Sequence, residues 1–311
     1  MSGEALSERV LALADDSAGA ETAVRAATRI AAGLNLPLAV LGVSRGGGED
    51  VAIETALAAA YDYAKQRAAS VEAIRATGDL LEVATRRIAE SPTALVVAGA
   101  QPRSGAARTR IASSVWRLVK SLAPPVLVTP PGDFAPRRAL FCTGGERYIE
   151  DGARFAARLA AALSASVTLF HVSPYLPAMY GDNMRRLGAE PSEFLATNSR
   201  IARNVRRQLE IFRAAGIESN LRLATGDVLS RVVEEIRRGG HDLLIVGSSP
   251  ARGTLSTYMM GDLTRDIVGI AGLPFCVVRS TPPGLWRELW RSLKEGAASV
   301  APDASEKPTQ P

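Results

Sequence analysis

Short apolar runs alternate with longer amphipathic stretches along most of the chain. Val10-Leu-Ala-Leu-Ala14 is followed by an alanine-rich stretch, Ala20 to Ala32, in which Ala23, Ala26, Ala27, Ile30 and Ala31 recur at helical spacing. A second run, Pro37 to Val43, leads to a longer helical stretch from Ala52 to Ala69. A third run ends at Gly78-Asp79, a further helix leads to Ala94–Gly99, and Pro125 to Val128 closes the series. Apolar runs this short and continuous predict strands of a parallel sheet, buried under helices on both faces.

The same order then recurs. Ala139 to Cys142 is followed by Thr143-Gly144-Gly145-Glu146, a helix over Glu150 to Leu163 and a strand over Val167 to Val172. A long helix from Ser192 to Ala214 precedes Gly226-Asp227, and two more apolar runs follow, Asp242 to Gly247 and Pro274 to Val278. The openings align at an offset of 129, from Gly78 to Gly105 the offset is 148, and one more residue is added before Gly261. The extra residues fall after the second strand, where Ser173 to Pro191 stands in place of Ser44 to Asp50. A periodicity this long marks a duplicated domain. The expected fold is α/β, with two Rossmann-like, five-stranded parallel-sheet domains of flavodoxin-like winding. The expected boundaries are 1–129 and 137–280, joined by a proline-bearing linker at 130–136, with a tail at 281–311. In such sheets a ligand binds beyond the strand C-termini where strand order reverses, so the loops after strands one and four matter most.

Composition narrows the function. Of 311 residues, 47% are hydrophobic and 22% charged, which fits a globular protein. No export signal and no membrane-length apolar run is read from the sequence, so a cytoplasmic location is expected. A net charge of +5 from 37 basic and 32 acidic residues favours an anionic ligand without pointing to nucleic acid. Cys142 and Cys276 lie in apolar strands expected ~10 Å apart, too far to bridge. His171 and His241 have no partner at zinc-ligand spacing. A nucleophile elbow, a Walker loop and the dinucleotide fingerprint are absent, so no catalytic residue is assigned.

Four features, in one order, carry a resemblance. They are the strand into Asp15-Asp16-Ser17, the Gly78-Asp79 turn, the strand-to-loop sequence from Gly99, and the closing Ala123-Pro124-Pro125-Val-Leu-Val128. Between Ser7 and Arg279 the chain resembles the universal stress protein family in its tandem two-domain form. The resemblance implies domains paired through their last strands, here as an internal pseudo-dimer, and in some members ATP at the switch point. ATP-binding members carry glycine, two residues, glycine, nine residues, glycine, then serine or threonine. Small residues admit backbone N–H groups to the phosphates, and a helix N-terminus favours their charge.

The first copy keeps that spacing through Gly99, Pro102, Ala112 and Ser113, although Pro102 removes a donor. Gln101, Arg103 and Gly105 line the same loop, with Arg108 and Arg110 adding charge, and Ser114 supplies a second hydroxyl. Asp15 matches the aspartate that lies beside the adenosine, and Asp16, Ser17 and Leu41 complete the candidate site. The implied ligand is ATP or another adenine nucleotide, with magnesium accompanying it at most. The second copy has Gly144 in place of Asp15, then Gly247, Pro250, Gly253 and Gly261. Asp262 stands where the hydroxyl belongs, and its carboxylate would compete with phosphate for the helix end. That copy is read as degenerate.

Three functions stay open. The first is a regulatory, stress-responsive nucleotide binder. The second is a scaffold acting through the 173–191 insertion or the tail, by protein partnership or self-association. The third is a slow nucleotide hydrolase. In the tail, Leu285 to Lys294 carries Leu285, Leu289 and Leu293 on one face beside Trp286 and Trp290. Packing on the second domain is preferred there over peripheral membrane contact. Arg200, Arg203, Arg206 and Arg207 are read as a solvated helix face, with no nucleic acid expected.

Overall fold

The computed structural model describes residues 8–14, 18–44, 50–68, 70–100, 113–144, 150–173, 190–248 and 272–279. All lie in the first of two units, Met1–Ser280 and Thr281–Pro311. The first half runs β1 (Arg9–Ala14), α1 (Ala18–Leu34), β2 (Leu38–Ser44), α2 (Asp50–Lys65), β3 (Val71–Thr77), α3 (Leu80–Glu90), β4 (Thr93–Gly99), α4 (Ser113–Ser121) and β5 (Val126–Thr129). The second runs β6 (Arg138–Cys142), α5 (Glu150–Leu163), β7 (Ser166–Ser173), α6 (Pro191–Ala196), α7 (Arg200–Ala214), β8 (Ser219–Thr225), α8 (Val228–Gly239), β9 (Leu243–Ser248) and β10 (Phe275–Arg279).

These strands form one ten-stranded sheet in the order β3-β2-β1-β4-β5-β10-β9-β6-β7-β8. Each half is therefore wound 3-2-1-4-5, the Rossmann order, and the flavodoxin-like winding expected from sequence is corrected. The reason is that β1 lies between β2 and β4, parallel to both. The chain winds outward to β3 and then crosses back over β1 to build the other side. The registers repeat as well: Val10 opposite Leu38 recurs as Ala139 opposite Val167, and Leu11 opposite Val96 as Leu140 opposite Leu244.

The halves join at β5 and β10, the one antiparallel pairing among the described strands. Leu127 faces Cys276, flanked by Val126 opposite Val277 and Val128 opposite Phe275. With Pro125 aligned to Pro274, Leu127 and Cys276 are counterparts, and each flanking pair is the other with its halves exchanged. That reciprocity is what a two-fold axis imposes on an interface. Above it α1 crosses α5, where a Cβ on Gly33 would lie 2.5 Å from the Ala162 carbonyl oxygen. Ala162 is the counterpart of Gly33 at the offset of 129, so this contact also sits on the axis. Arg29 extends it by donating to the Leu163 carbonyl at 3.3 Å. The connecting segment is held to α1 by Thr22, whose hydroxyl donates to the Gly132 carbonyl at 2.9 Å and accepts from its N–H at 3.1 Å.

Because side chains alternate across a strand, the sheet has an apolar core on each face. One, under α1 and α5, includes Leu127, Phe141, Ile245 and Cys276; the other includes Val126, Val128, Leu140 and Phe275. Both cores draw on both halves. The cysteines are free, with β9 between their strands. Burial raises the Cys142 thiol to about 12, with a smaller push from Glu235, and burial also raises Cys276.

The duplicated Gly-Asp pair has a structural role in both halves. Gly78 and Gly226 have φ of 136° and 132°, which turn the chain out of β3 and β8. Asp79 then caps α3 by accepting from the N–H groups of Leu81 and Glu82, and Asp227 caps α8 through Ser230. The single helix expected over Ser192 to Ala214 is corrected to two. The Thr197 hydroxyl bonds back to the Phe194 carbonyl at 2.8 Å, and Ser199 accepts from the Ala202 N–H to start α7 afresh.

Replacing Gly33 with leucine forces α1 and α5 apart at the axis. The variant is expected to lose about 2 kcal/mol or more in urea denaturation; unaltered stability would contradict this packing.

Candidate functional site

The 3-2-1-4-5 order puts one reversal between β1 and β4 and another between β6 and β9. Both loops flagged in the sequence of each half leave the sheet at those points. In the first half, two glycines set their separation. A Cβ on Gly19 would lie 2.1 Å from the Ala100 carbonyl oxygen, and one on Gly99 would lie 2.2 Å from the Gly19 carbonyl carbon. Backbone packs on backbone here, so the start of α1 sits directly against the end of β4. The loop 15–17 and the loop 101–112 therefore spring from touching segments.

Of the first-half candidates, Asp15, Asp16, Ser17, Gln101, Arg103, Gly105 and Ala112 lie outside the described residues. Gly99 ends β4, Ser113 is the first residue of α4, and Ser114 is half-buried in that helix's first turn. Leu41 is fully buried in β2 within the core shared with Leu13, Ile74 and Val83. Its side chain acts as packing beneath the sheet edge. The N-terminus of α4 stands at the C-terminal edge of the sheet and carries the positive end of the helix dipole.

Two contacts hold α4 in place. Arg117 donates to both Asp79 oxygens, at 2.9 and 3.3 Å, tying α4 to the cap of α3. That hydrogen bond holds the Asp79 carboxyl below its ordinary pKa. At the other end of the helix, Arg279 of β10 donates to the Val119 carbonyl at 3.0 Å.

In the second half Gly144 is exposed after β6 and Gly247 is buried in β9, while Gly253, Gly261 and Asp262 lie outside the described residues. The distinctive group is His171 on β7. It is buried, its Nδ1 lies 3.0 Å from the Thr143 carbonyl, and its ring stacks on Phe194 of α6 with centroids 5.9 Å apart. The carbonyl is an acceptor, so Nδ1 carries the proton and the lone pair is at Nε2. Burial lowers the His171 pKa, against a smaller opposing effect of the Thr143 contact. Its counterpart is Gly42, so the first half has no equivalent imidazole.

The arginines of α7 are largely engaged with their own domain. Arg203 donates to the Asn198 carbonyl at 3.0 Å, Arg206 to those of Leu195 and Thr197, and Arg207 pairs with Glu150 at 3.4 Å. Among the described residues no cluster of three or more His, Cys, Asp or Glu could hold a metal, and no helix is long and apolar enough to cross a membrane. Sequence reasoning passed over Gly19 and Arg279. The available signals were a glycine at the head of an alanine-rich helix and a cation closing an apolar strand.

The His171 environment has a consequence for stability. As pH falls, the unfolded chain takes up this proton before the folded one does. Stability is therefore full above the ordinary value of 6.5 and is lost as pH drops from there toward the lowered folded value. In thermal melts between about pH 7 and pH 5, His171→Leu is expected to flatten the decline of the wild type. Parallel curves would contradict the assignment.

Comparison with known proteins matches the geometry. A family model for universal stress proteins matches residues 136–279. No curated protein matches the chain in sequence. Among solved structures, a protein of unknown function from Pseudomonas aeruginosa PAO1 superposes with a TM-score of 0.65 at 16% identity, covering 94% of this chain and 98% of that one. A universal stress protein from Archaeoglobus fulgidus DSM 4304 superposes with a TM-score of 0.62 at 14% identity, covering 88% and 96%. Residues 136–279 are thus a domain of the universal stress protein family, and the chain as a whole carries the fold of a universal stress protein of comparable length.

Proposed function

We propose that the chain is a universal-stress-type regulatory protein whose first domain, residues 1–129, binds an adenine nucleotide. The second domain, residues 137–280, does not bind one in the same manner. The observation that carries this reading is the backbone contact of Gly19 with Gly99 and Ala100. It brings the start of α1, which follows Asp15-Asp16-Ser17, against the end of β4, which precedes Gln101 to Ala112. In this reading Asp15 meets the adenosine. Gln101, Arg103, Gly105 and the Ser113 and Ser114 hydroxyls take the phosphates, with magnesium accompanying them at most.

The second domain supports the asymmetry by composition. Gly144 replaces the aspartate, and Asp262 puts a negative charge where phosphate would sit. Regulation is favoured over catalysis because the candidate residues supply binding groups and phosphate neutralisation but no paired base and nucleophile. The arginines of α7 mostly serve their own domain's carbonyls and Glu150, which speaks against nucleic acid as the partner. A cytoplasmic setting is part of the same proposal.

Calorimetric titration of the full chain with ATP and magnesium tests the site. Asp15→Ala and Ser113→Ala are each expected to weaken binding about ten-fold or more, as loss of a hydrogen bond involving a charged group does. Unchanged affinity in both variants would overturn the assignment.

A further inference from the structure

Arg279 is the last residue of β10, paired with Ser248 at the end of β9, yet its guanidinium reaches across to the other half. Nη2 donates to the Val119 carbonyl at 3.0 Å. Val119 lies in the last turn of α4, where carbonyls have no partner within the helix and the dipole is negative. Nε is buried without a hydrogen-bond partner, and among the described residues Arg279 has no carboxylate beside it. The guanidinium is partly withdrawn from water, and its one described hydrogen-bond acceptor is the negative end of a helix. Burial correspondingly lowers its pKa.

The helix it meets is the one whose N-terminus starts at Ser113. The arrangement is one-sided. Pro125 aligns with Pro274, so the first-half counterpart of Arg279 is Pro130, which has no cation to offer the second half. The half that keeps hydroxyls at the helix start, Ser113 and Ser114, receives the arginine. For the half with Asp262 at that position, the residue aligned with the arginine is Pro130.

We infer that Arg279 is a positioning residue for the phosphate end of the first-half site. By neutralising the C-terminal end of α4 and fixing its axis, it keeps the positive N-terminus aimed at the phosphates. The second domain thereby serves as a brace for the site in the first. This rests on the nucleotide reading above. It goes further in making phosphate affinity depend on a side chain of the other domain.

The test is calorimetry on the full chain, with ATP plus magnesium and separately with adenosine, which lacks phosphate. Arg279→Met keeps much of the side-chain volume and loses the charge. It is expected to bind ATP about five-fold more weakly while adenosine affinity is unchanged. Arg279→Lys, which keeps the charge, is expected to stay within about two-fold of the wild type. Should the methionine variant not fold, Arg279→Gln replaces it with the same expectation. Equal weakening of ATP and adenosine would reduce Arg279 to general structural support and overturn the inference. So would wild-type ATP affinity in Arg279→Met. If the wild type bound neither ligand, the nucleotide reading itself would fall and the inference with it.

Discussion

The rest of the structure depends on how β5 and β10 meet. Two parallel five-stranded sheets each have two edge strands, and an edge left open at β5 or β10 would be a site of uncontrolled association. Here one edge from each half satisfies the other, with Leu127 opposite Cys276 on a local two-fold axis. The contact is more than a ladder of hydrogen bonds. It makes the two apolar cores continuous across the halves, so Phe141 and Leu127 lie in one cluster and Val126 and Leu140 in another. Gly33 against Ala162 closes the same axis in the helical layer above.

That junction also lets duplicated halves diverge. Once pairing is internal, each copy answers only to its own loops and to what it supplies to the other. The first copy keeps the close approach of Gly19 to Gly99, which requires that neither residue carry a side chain. The second has Tyr148 at the position of Gly19 and His171 at that of Gly42, and it adds α6, which stacks Phe194 on that imidazole. One sheet thus carries two unlike C-terminal edges. Arg279 of the altered copy reaches across to α4 of the conservative one, and the first-half residue aligned with it is Pro130.

Much of the fold was legible in the sequence because both of its signals are periodic. Continuous apolar runs gave the parallel strands, and Glu150 to Leu163 was read as α5 at its observed bounds. The winding was misread because strand order is set by crossover packing of β1 between β2 and β4, which no local pattern encodes. The break at Thr197 was missed because helix-compatible residues surround it, and the competition comes from two hydroxyls bonding locally. Leu41, a site candidate, lies in β2, where all residues but Val43 are buried, and packs in the core. Gly-Asp was recognised as a recurring mark, but its work as turn and helix cap needed φ and hydrogen bonds to see. Arg279 could not be found from one half alone, since its partner lies in the other.

The central claim is that duplication has produced one nucleotide-competent half and one supporting half. Its most direct test is the adenine nucleotide content of the full-length chain. The protein would be purified rapidly, saturated with ATP and magnesium, freed of unbound ligand and denatured, and the released nucleotide counted by ion-exchange chromatography. The account predicts close to one nucleotide per chain. Two per chain would contradict the division of labour between the halves, and none would contradict nucleotide binding altogether.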